Sequence, residues 1–509
     1  MRILGISSMF HDAAISVVED GKITFAGHAE RYSKHKNDAF INPELMAEAL
    51  SCGVPDVIVL HEKTWAKRLR SAVARNWGTF SEPTQEQWLT QFYPELDGIP
   101  VKSYWHHETH AAAGVLTSNY SECAVMCIDA IGEFDTATIW QWNSHTGLKK
   151  LHSHWFPHSL GLFYSAVTAH VGLKPMEDEY ILMGMAAYGD PTRYATDLNR
   201  ALFKTPEGIR CRKNMQRGLP PDFLYRDSII QQEGVDEWGH SSIDYHIAAS
   251  AQAITEQKIL EYARKAKQLT GSNNLVFMGG CALNCVANSN LYEVFDNIHI
   301  MPNPGDAGSS LGAAALEYYN CTGRVISEFT PYLGTEIPGD YPVNRALNSL
   351  LNGEIFGIAN GRAEFGPRAL GNRSLCADPR GNEIKDRMNV IKKRQKFRPF
   401  APVILAEEAN NYFDMPAGNM SPYMQYVARC KFPEQFPAIV HADGTSRVQT
   451  VTAYQHPELH LLLRRFRDAT GCPMMVNTSL NIKGQPIVND VADAQAFAQH
   501  YGVPVHTHD

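Results

Sequence analysis

The feature that most narrows what this chain can fold into is a plan that occurs twice. Apolar strand-like runs alternate with turn signals from the start: Arg2 to Ser7, Ala13 to Val18, a hairpin turn at Gly21, then Ile23 to Ala26. The strand, turn, strand order returns at Cys123 to Asp129 and Thr136 to Trp142. Helical patterns accompany both, around Asn42 to Leu50 before a buried strand at Val57 to Leu60, and at Ile247 to Leu269 before a strand from Asn274 that runs into Gly279 and Gly280. Two hairpins, each backed by helices, predict a duplicated α/β unit. The stretch from Glu328 to Pro342 is rich in Pro, Gly, Thr and Tyr, which places a boundary near residue 340 and predicts domains at 1–340 and 341–509.

Past that boundary the charge changes sign. The 509 residues carry a net charge of -8, yet Arg362 to Arg398 holds eleven Lys/Arg against four Asp/Glu, a local net of +7. These cations are threaded between Phe365, Gly366, Pro367, Gly371, Pro399 and Phe400, which a merely solvated basic face does not need. Arg offers a rigid fork and Lys a mobile point charge, so the mixture points to phosphate recognition. With 44% hydrophobic and 20% charged residues the chain reads as a soluble globular protein. Its start lacks the character of a signal peptide and no apolar run is long enough to span a bilayer, so a cytoplasmic protein without a membrane partner is expected. Ten cysteines without dense spacing fit free thiols in a reducing compartment, and the acidic balance supplies no general drive toward nonspecific duplex binding.

Three constellations carry chemistry. In His106-His107-Glu108-Thr109-His110, followed by three alanines, a helix puts His106 and His110 on one face and turns His107 away. Imidazoles in such a pair suit a first-row metal and need carboxylate company. Asp129, at a strand end, and Asp306, in a Gly-rich turn, are the candidates, and the set would act as a Lewis acid. The second constellation is a pair of glycine-rich turns, Gly279-Gly280 through Asn284 and Gly305 through Gly308, each before a helix whose amides can hold phosphate. Neither matches a P-loop or a dinucleotide fingerprint, and each alone is also an ordinary tight turn. The third comprises the polar loops Asp443 to Thr450 and Val476 to Ile487, suited to closing over a small phosphorylated ligand.

Taken together these segments resemble the NodU/CmcH carbamoyltransferase family over nearly the whole chain. The resemblance rests on Leu4 to Ser7, His11 to Ala14, Glu30-Arg31-Tyr32, the His106/His110 pair, Pro157 to Gly161, Gly279 to Asn284, Glu364 to Ser374, Phe397 to Pro402 and Asn477 to Asn481. It implies an actin-like ATPase fold, TsaD-like, for the duplicated N-terminal domain and a smaller YrdC-like α/β domain at the C-terminus. The implied reaction joins carbamoyl phosphate and ATP into carbamoyladenylate and passes the carbamoyl group to an acceptor hydroxyl. Iron(II) or another divalent metal is implied at His106, His110, Asp129 and Asp306, with Mg2+ as a further cofactor to consider. The nucleotide segment falls on Gly279, Gly280, Asn284, Gly305 and Gly308. The carbamoyl phosphate and ATP region falls on Arg368, Arg373, Lys393, Arg398, Arg447 and Asn477. His11 matches a histidine near the transfer site and, with Asp12 and Asn37, forms the expected catalytic group, since an imidazole titrates near working pH and can accept the acceptor's proton.

The departures concern the transfer domain. Lys36-Asn37-Asp38 stands where the family often reads Lys-Lys-His-Asp, so a second histidine is either absent or displaced to His35. Ala130 replaces a usual glycine, Ile181 stands where a lysine is common, and Leu60 to Tyr104 is short. That short segment carries Lys67, Arg68, Arg70 and Arg75, which a helix could present to a phosphate backbone. The acceptor is therefore left between a small hydroxylated molecule, such as a sugar or natural product, and a hydroxymethylated pyrimidine of modified phage DNA or its nucleotide. An actin-like kinase or ATPase, a tRNA threonylcarbamoyl-type enzyme and a noncatalytic nucleotide-binding scaffold are the competing classes. The oligomeric state is open.

Overall fold

A computed structural model describes residues 1–73, 77–80, 82–205, 208–220, 223–225, 231, 234–416 and 420–509. The chain divides into two compact units of mixed α/β structure. The first comprises Met1–Met9, Val17–Lys22 and Val54–Ser327, the second Phe10–Ser16, Ile23–Gly53 and Glu328–Asp509.

The repeated plan is realised as two sheets of the same order. Strands β1 (Arg2–Ser7), β2 (Ala14–Glu19), β3 (Lys22–His28), β4 (Val57–Leu60) and β5 (Val101–Ser103) lie as β3-β2-β1-β4-β5. Strands β6 (Glu122–Ile128), β7 (Asp135–Asn143), β8 (Gly147–Trp155), β9 (Asn274–Met278) and β10 (Asn297–His299) lie as β8-β7-β6-β9-β10. In each, the earliest strand is central and pairs in parallel with the fourth. The turn between β2 and β3 is Asp20-Gly21, both at positive φ, as a two-residue hairpin turn matched to strand twist requires. Strand β6 is buried along all but its first residue, which explains its unbroken apolar run. The edge strand β8 has no fully buried residue, and its weak alternation hid it from sequence reading.

Helix ends follow local chemistry. The Pro43–Ser51 helix starts where Asn42 accepts a hydrogen bond from Leu45 N at 3.0 Å, with proline at the first position. The Ser242–Thr270 helix begins with the Asp244 carboxylate accepting from both the amide and the hydroxyl of Ser241, and ends at Gly271 in the left-handed region. Among the described residues no helix is long and apolar enough to cross a membrane. All ten cysteines are free thiols.

The second unit holds β11 (Tyr332–Ile337), β12 (Phe356–Ala359), β13 (Gly361–Glu364), β14 (Arg373–Ala377), β15 (Ala401–Leu405), β16 (Phe413–Asp414), β17 (Tyr426–Cys430), β18 (Thr445–Val451), β19 (Met474–Ser479) and β20 (Val505–His506). Eight of them form one sheet in the order β16-β17-β18-β15-β19-β14-β12-β20, and β11 pairs with β13. Its core joins Phe356, Leu375, Val403, Phe466 and Met475.

Candidate functional site

The first unit builds a cage of four ligating side chains. The His106–Leu116 helix is buried on every side, with Glu108 its one residue that is not, so its small residues serve close packing. A Cβ at Gly312 would stand 1.9 Å from Thr109 O, so the Gly308–Thr322 helix meets the histidine helix backbone to backbone. That contact sets Asp306, just before one helix, beside the histidines of the other. Asp129 follows directly on β6. Trp105 precedes the histidine helix without a capping side chain, and the buried Glu133 takes over: it accepts from His106 N at 3.1 Å and from Lys63 N at 2.8 Å. A carboxylate there also answers the positive helix end.

The histidine Nε2 atoms lie 3.0 Å apart. Asp129 Oδ2 is 3.2 Å from each, and Asp306 Oδ1 is 3.4 and 3.3 Å from His106 and His110. Five of six edges of this tetrahedron thus fall between 3.0 and 3.4 Å. With the sixth pair also within 4.8 Å, the centre lies about 2.0 to 2.4 Å from each corner, close to the length of a bond from a divalent zinc-type ion to imidazole nitrogen or carboxylate oxygen. Two facing imidazole nitrogens can share one proton at most, whereas a divalent cation satisfies all four groups and cancels two carboxylate charges. Burial alone would hold His106 neutral, but Asp306 and Asp129 override it and raise its pKa well above the usual value. Burial and the neighbouring His106 oppose the same rise in His110, where hydrogen bonds to the two aspartates prevail. Asp129 is lowered despite burial and the charge of Asp306, because both imidazoles bond to it. The donor set therefore fits a divalent first-row metal.

The supporting contacts are specific. Ser309 Oγ is 3.2 Å from His110 Nδ1, while Asp129 Oδ1 accepts from Ala130 N at 2.7 Å and Gly280 N at 3.3 Å. His107 stays outside the cage. Its Nδ1 is 3.0 Å from Thr138 Oγ1, which itself accepts from Trp140 Nε1. Gly279 and Gly280 border Asp129, and Gly305 and Gly308 flank Asp306 on either side. At Gly279, φ is 89° and a Cβ would stand 2.3 Å from Ile128 O, so close strand approach by itself demands glycine there. Asn284 caps the Cys285–Asn290 helix and exchanges two hydrogen bonds with Gln252. Lys67 is paired with Glu62, Arg68 donates to Glu82 O and Arg70 is buried, so these three do not form an open cationic comb. Arg75 lies outside the described residues.

The second unit contains the other expected groups. His11 Nδ1 is 3.0 Å from Asp12 Oδ2, and Asp12 N donates to Asn37 O at 3.4 Å. Asp12 and Asn37 both have positive φ, backbone strain of the kind found at functional sites. Burial opposes ionisation of Asp12, yet the bond from His11 and the charges around it lower its pKa. Asn37 N donates to Glu30 Oε2 at 3.0 Å and Asn37 O accepts from Asp12 N, while His35 is exposed, so Asn37 is the position that adjoins Asp12.

The basic segment separates into scaffold and cradle. Arg373 is fully buried and gives its guanidinium N–H groups to the carbonyls of Asn489, Asn360, Asn372 and Thr335. Lys393 is exposed, with Nζ 5.7 Å from the Tyr501 ring centre. Its neighbour Lys392, which sequence reading passed over, is buried and donates to Ser479 O and to Asn481 Oδ1. Ile384, Met388 and Lys392 recur every fourth residue on one buried helix face, which was the signal available for it. Burial first, then Arg394 and Arg398, hold its pKa well below the usual lysine value. Glu364 Oε1 accepts from the amides of Leu370, Asn372 and Arg373 and so folds the Phe365-to-Asn372 loop onto the sheet. Asn477 donates to Ala369 O and Gln449 Oε1, and Gln449 donates to Leu370 O. Arg447 projects from the same face of β18 as Gln449. Arg447 Nε and Asn477 Oδ1 are buried without a hydrogen-bond partner among the described residues. Arg368 and Arg398 are half-buried.

Comparison with known proteins follows the same division. The family model described as Carbamoyltransferase N-terminus matches residues 58–315, and that described as Carbamoyltransferase C-terminus matches 347–506. An uncharacterized protein of Synechocystis, sll1178, is 34% identical, with 97% of this chain and 93% of that protein covered. The 3'-hydroxymethylcephem-O-carbamoyltransferase of Streptomyces clavuligerus is 29% identical over 96% of this chain and 94% of its own. Nodulation protein NolO of Bradyrhizobium diazoefficiens is 34% identical, over 76% and 75% respectively.

Proposed function

From the premise that the chain belongs to the carbamoyltransferase family and is a carbamoyltransferase, we propose that it works in two steps, with the activating chemistry in the cradle of the second unit and the transfer chemistry at the cage. The observation that carries the proposal is that one chain holds both a four-ligand anionic cage and a cation-lined row of amides with a donor and an acceptor left unpaired. In the first step, carbamoyl phosphate and water give carbamate and phosphate, and carbamate displaces pyrophosphate from ATP to give carbamoyladenylate. In the second, an acceptor hydroxyl attacks the carbamoyl carbon, the bond to AMP breaks, and the hydroxyl proton passes to a base. A neutral hydroxyl needs this good leaving group. The two halves are read as an actin-like, TsaD-like domain and a YrdC-like domain, divided near residue 340.

In the cradle, Arg447 Nε is a free donor for a phosphate or carbonyl oxygen, and Asn477 Oδ1 is a free acceptor for the carbamoyl amide. Arg368, Arg398 and Lys392 supply positive charge around them. Arg373 frames the loop. Glycines 279, 280, 305 and 308 let the nucleotide approach the backbone, and Asn284 steadies the adjoining turn. His106, His110, Asp129 and Asp306 would hold an iron(II)-type divalent ion, which supplies Lewis acidity toward a carbonyl when bound. His11, kept in orientation by Asp12 with Asn37 alongside, is a base suited to accepting a hydroxyl proton.

The acceptor is a small hydroxylated molecule. Lys67, Arg68 and Arg70 are engaged within the protein, which weighs against the DNA reading, and the Streptomyces relative is named for a small hydroxymethyl acceptor. The test is incubation with ATP, carbamoyl phosphate and a panel of hydroxylated compounds, followed by mass spectrometry. A gain of one carbamoyl unit with one AMP and one pyrophosphate per turnover is expected. Carbamoylation without AMP would overturn the two-step reading.

A further inference from the structure

A second cluster in the first unit is built from cations. His152 and His154 alternate on β8 and project from one face of it. Lys265, on the Ser242–Thr270 helix, donates from Nζ to His152 Nε2 at 2.9 Å, and the two imidazole Nε2 atoms are 3.4 Å apart. Tyr262, three residues earlier on that helix, has its ring centre 6.0 and 5.7 Å from the two imidazoles. Its hydroxyl is buried with no hydrogen-bond partner among the described residues. His158 accepts from Cys211 N at 3.2 Å, and the charge of neighbouring Arg210 is felt at His154, His158 and Lys265.

Among the described residues, no carboxylate pairs with Lys265, Arg210, His152 or His154. The acceptor of the Lys265 ammonium is an imidazole, so its charge has no carboxylate counterpart in this cluster. Burial, followed by His152, Lys265, Arg210 and His158, holds His154 down at about 4. A metal ion would meet Lys265 and Arg210 as like charges, so the two histidines do not make a cation site.

We propose that Lys265, Arg210, His152 and His154 form a binding site for a phosphate-type oxyanion, made of residues that belong neither to the cage nor to the basic segment. The Lys265 ammonium would donate charge-assisted bonds beside the two imidazoles, with Arg210 adding positive charge nearby. The site adjoins the cage through the backbone. His154 O and His158 O both accept from Thr136 Oγ1, and Ser159 Oγ donates to Asp129 O at 3.2 Å. The oxyanion is either a free anion or a phosphate monoester on an organic molecule.

The test is calorimetric titration of the full-length protein with inorganic phosphate and, separately, with glucose 6-phosphate, in wild type, Lys265→Met, Lys265→Arg, His154→Gln and Arg368→Ala. A binding event that survives in Arg368→Ala and Lys265→Arg and weakens about tenfold or more in Lys265→Met and His154→Gln supports the site. Tighter binding of phosphate identifies a free anion, and tighter binding of the sugar phosphate identifies a monoester. Binding of both probes that is indifferent to Lys265→Met, or absent from the wild type, overturns the proposal. Should Lys265→Met fail to fold, the His152 and His154 ring protons of the wild type must still shift on addition of phosphate, and unshifted resonances overturn it equally. No readout involves carbamoyl transfer.

Discussion

The cage of the first unit and the cradle of the second both bury charge, with opposite sign and opposite economy of residues. In the cage the four groups nominated from the sequence stand together, with the atoms that could bind an ion within 4.8 Å of one another. In the cradle the basic residues divide: Arg373 is spent on four backbone carbonyls, Lys393 faces solvent, and Lys392, one residue away, is the buried ammonium. The lesson is that a metal cage is specified by a few geometrically linked positions, whereas a dense run of Lys and Arg mixes scaffold with function, and only the partner of each donor separates the two.

The largest expected effect tests the cage. Asp306→Ala should remove bound metal, read by elemental analysis, and lower carbamoyl transfer by about 10²- to 10³-fold while pyrophosphate release persists. Equal loss of both activities would break the division between the two regions. Arg373→Met comes next. Stranding four buried carbonyls should cost about 3 to 5 kcal/mol, seen as a fall in chemical-denaturation midpoint, so any loss of activity should accompany unfolding. A well-folded Arg373→Met protein that fails only in pyrophosphate release would return Arg373 to the ligand set.

The adjacent lysines sharpen the comparison further. Lys392→Ala should cost about 2 to 3 kcal/mol and stop pyrophosphate release, whereas Lys393→Ala should change stability by about 0.5 kcal/mol or less. Reversed effects would undo the distinction. A further effect, confined to low pH, is acid sensitivity within the second unit. Burial, reinforced by Arg31, lowers His28 to about 4 from an ordinary value of 6.5. The unfolded chain therefore binds the extra proton first. Stability from this group is full above the unfolded value and declines as pH falls from 6.5 toward 4, by about 2 kcal/mol at pH 5. Denaturation of His28→Gln across that range should show a flatter pH profile, and an unchanged slope would assign the acid sensitivity to other groups.

Much of this was legible in the sequence for identifiable reasons. A helix advances 100° per residue, so His106 and His110 had to share a face and His107 had to leave it. Strand periodicity and turn residues gave away the paired hairpins, and β8 escaped because an edge strand with no buried face carries little alternation. Glu133 lies four residues after Asp129 and Ser309 three after Asp306, but nothing in composition says that a carboxylate will cap a helix reached through tertiary packing.

What the amino-acid sequence determined by itself is therefore the family, the mixed α/β class with its repeated sheet plan, and the four cage positions, because each rests on local periodicity or on motifs contiguous in the chain. What only the tertiary structure decided is which cations are scaffold and how distant segments are grouped. Arg31 donates to Gly366 O across 335 residues, and Arg362 donates to Thr24 O across 338. Such bonds collect Ile23–Gly53 with Glu328–Asp509 in one unit. A buried guanidinium takes whichever carbonyls the folded backbone brings within reach, and that supply is a property of the assembled fold, invisible in any local stretch of sequence.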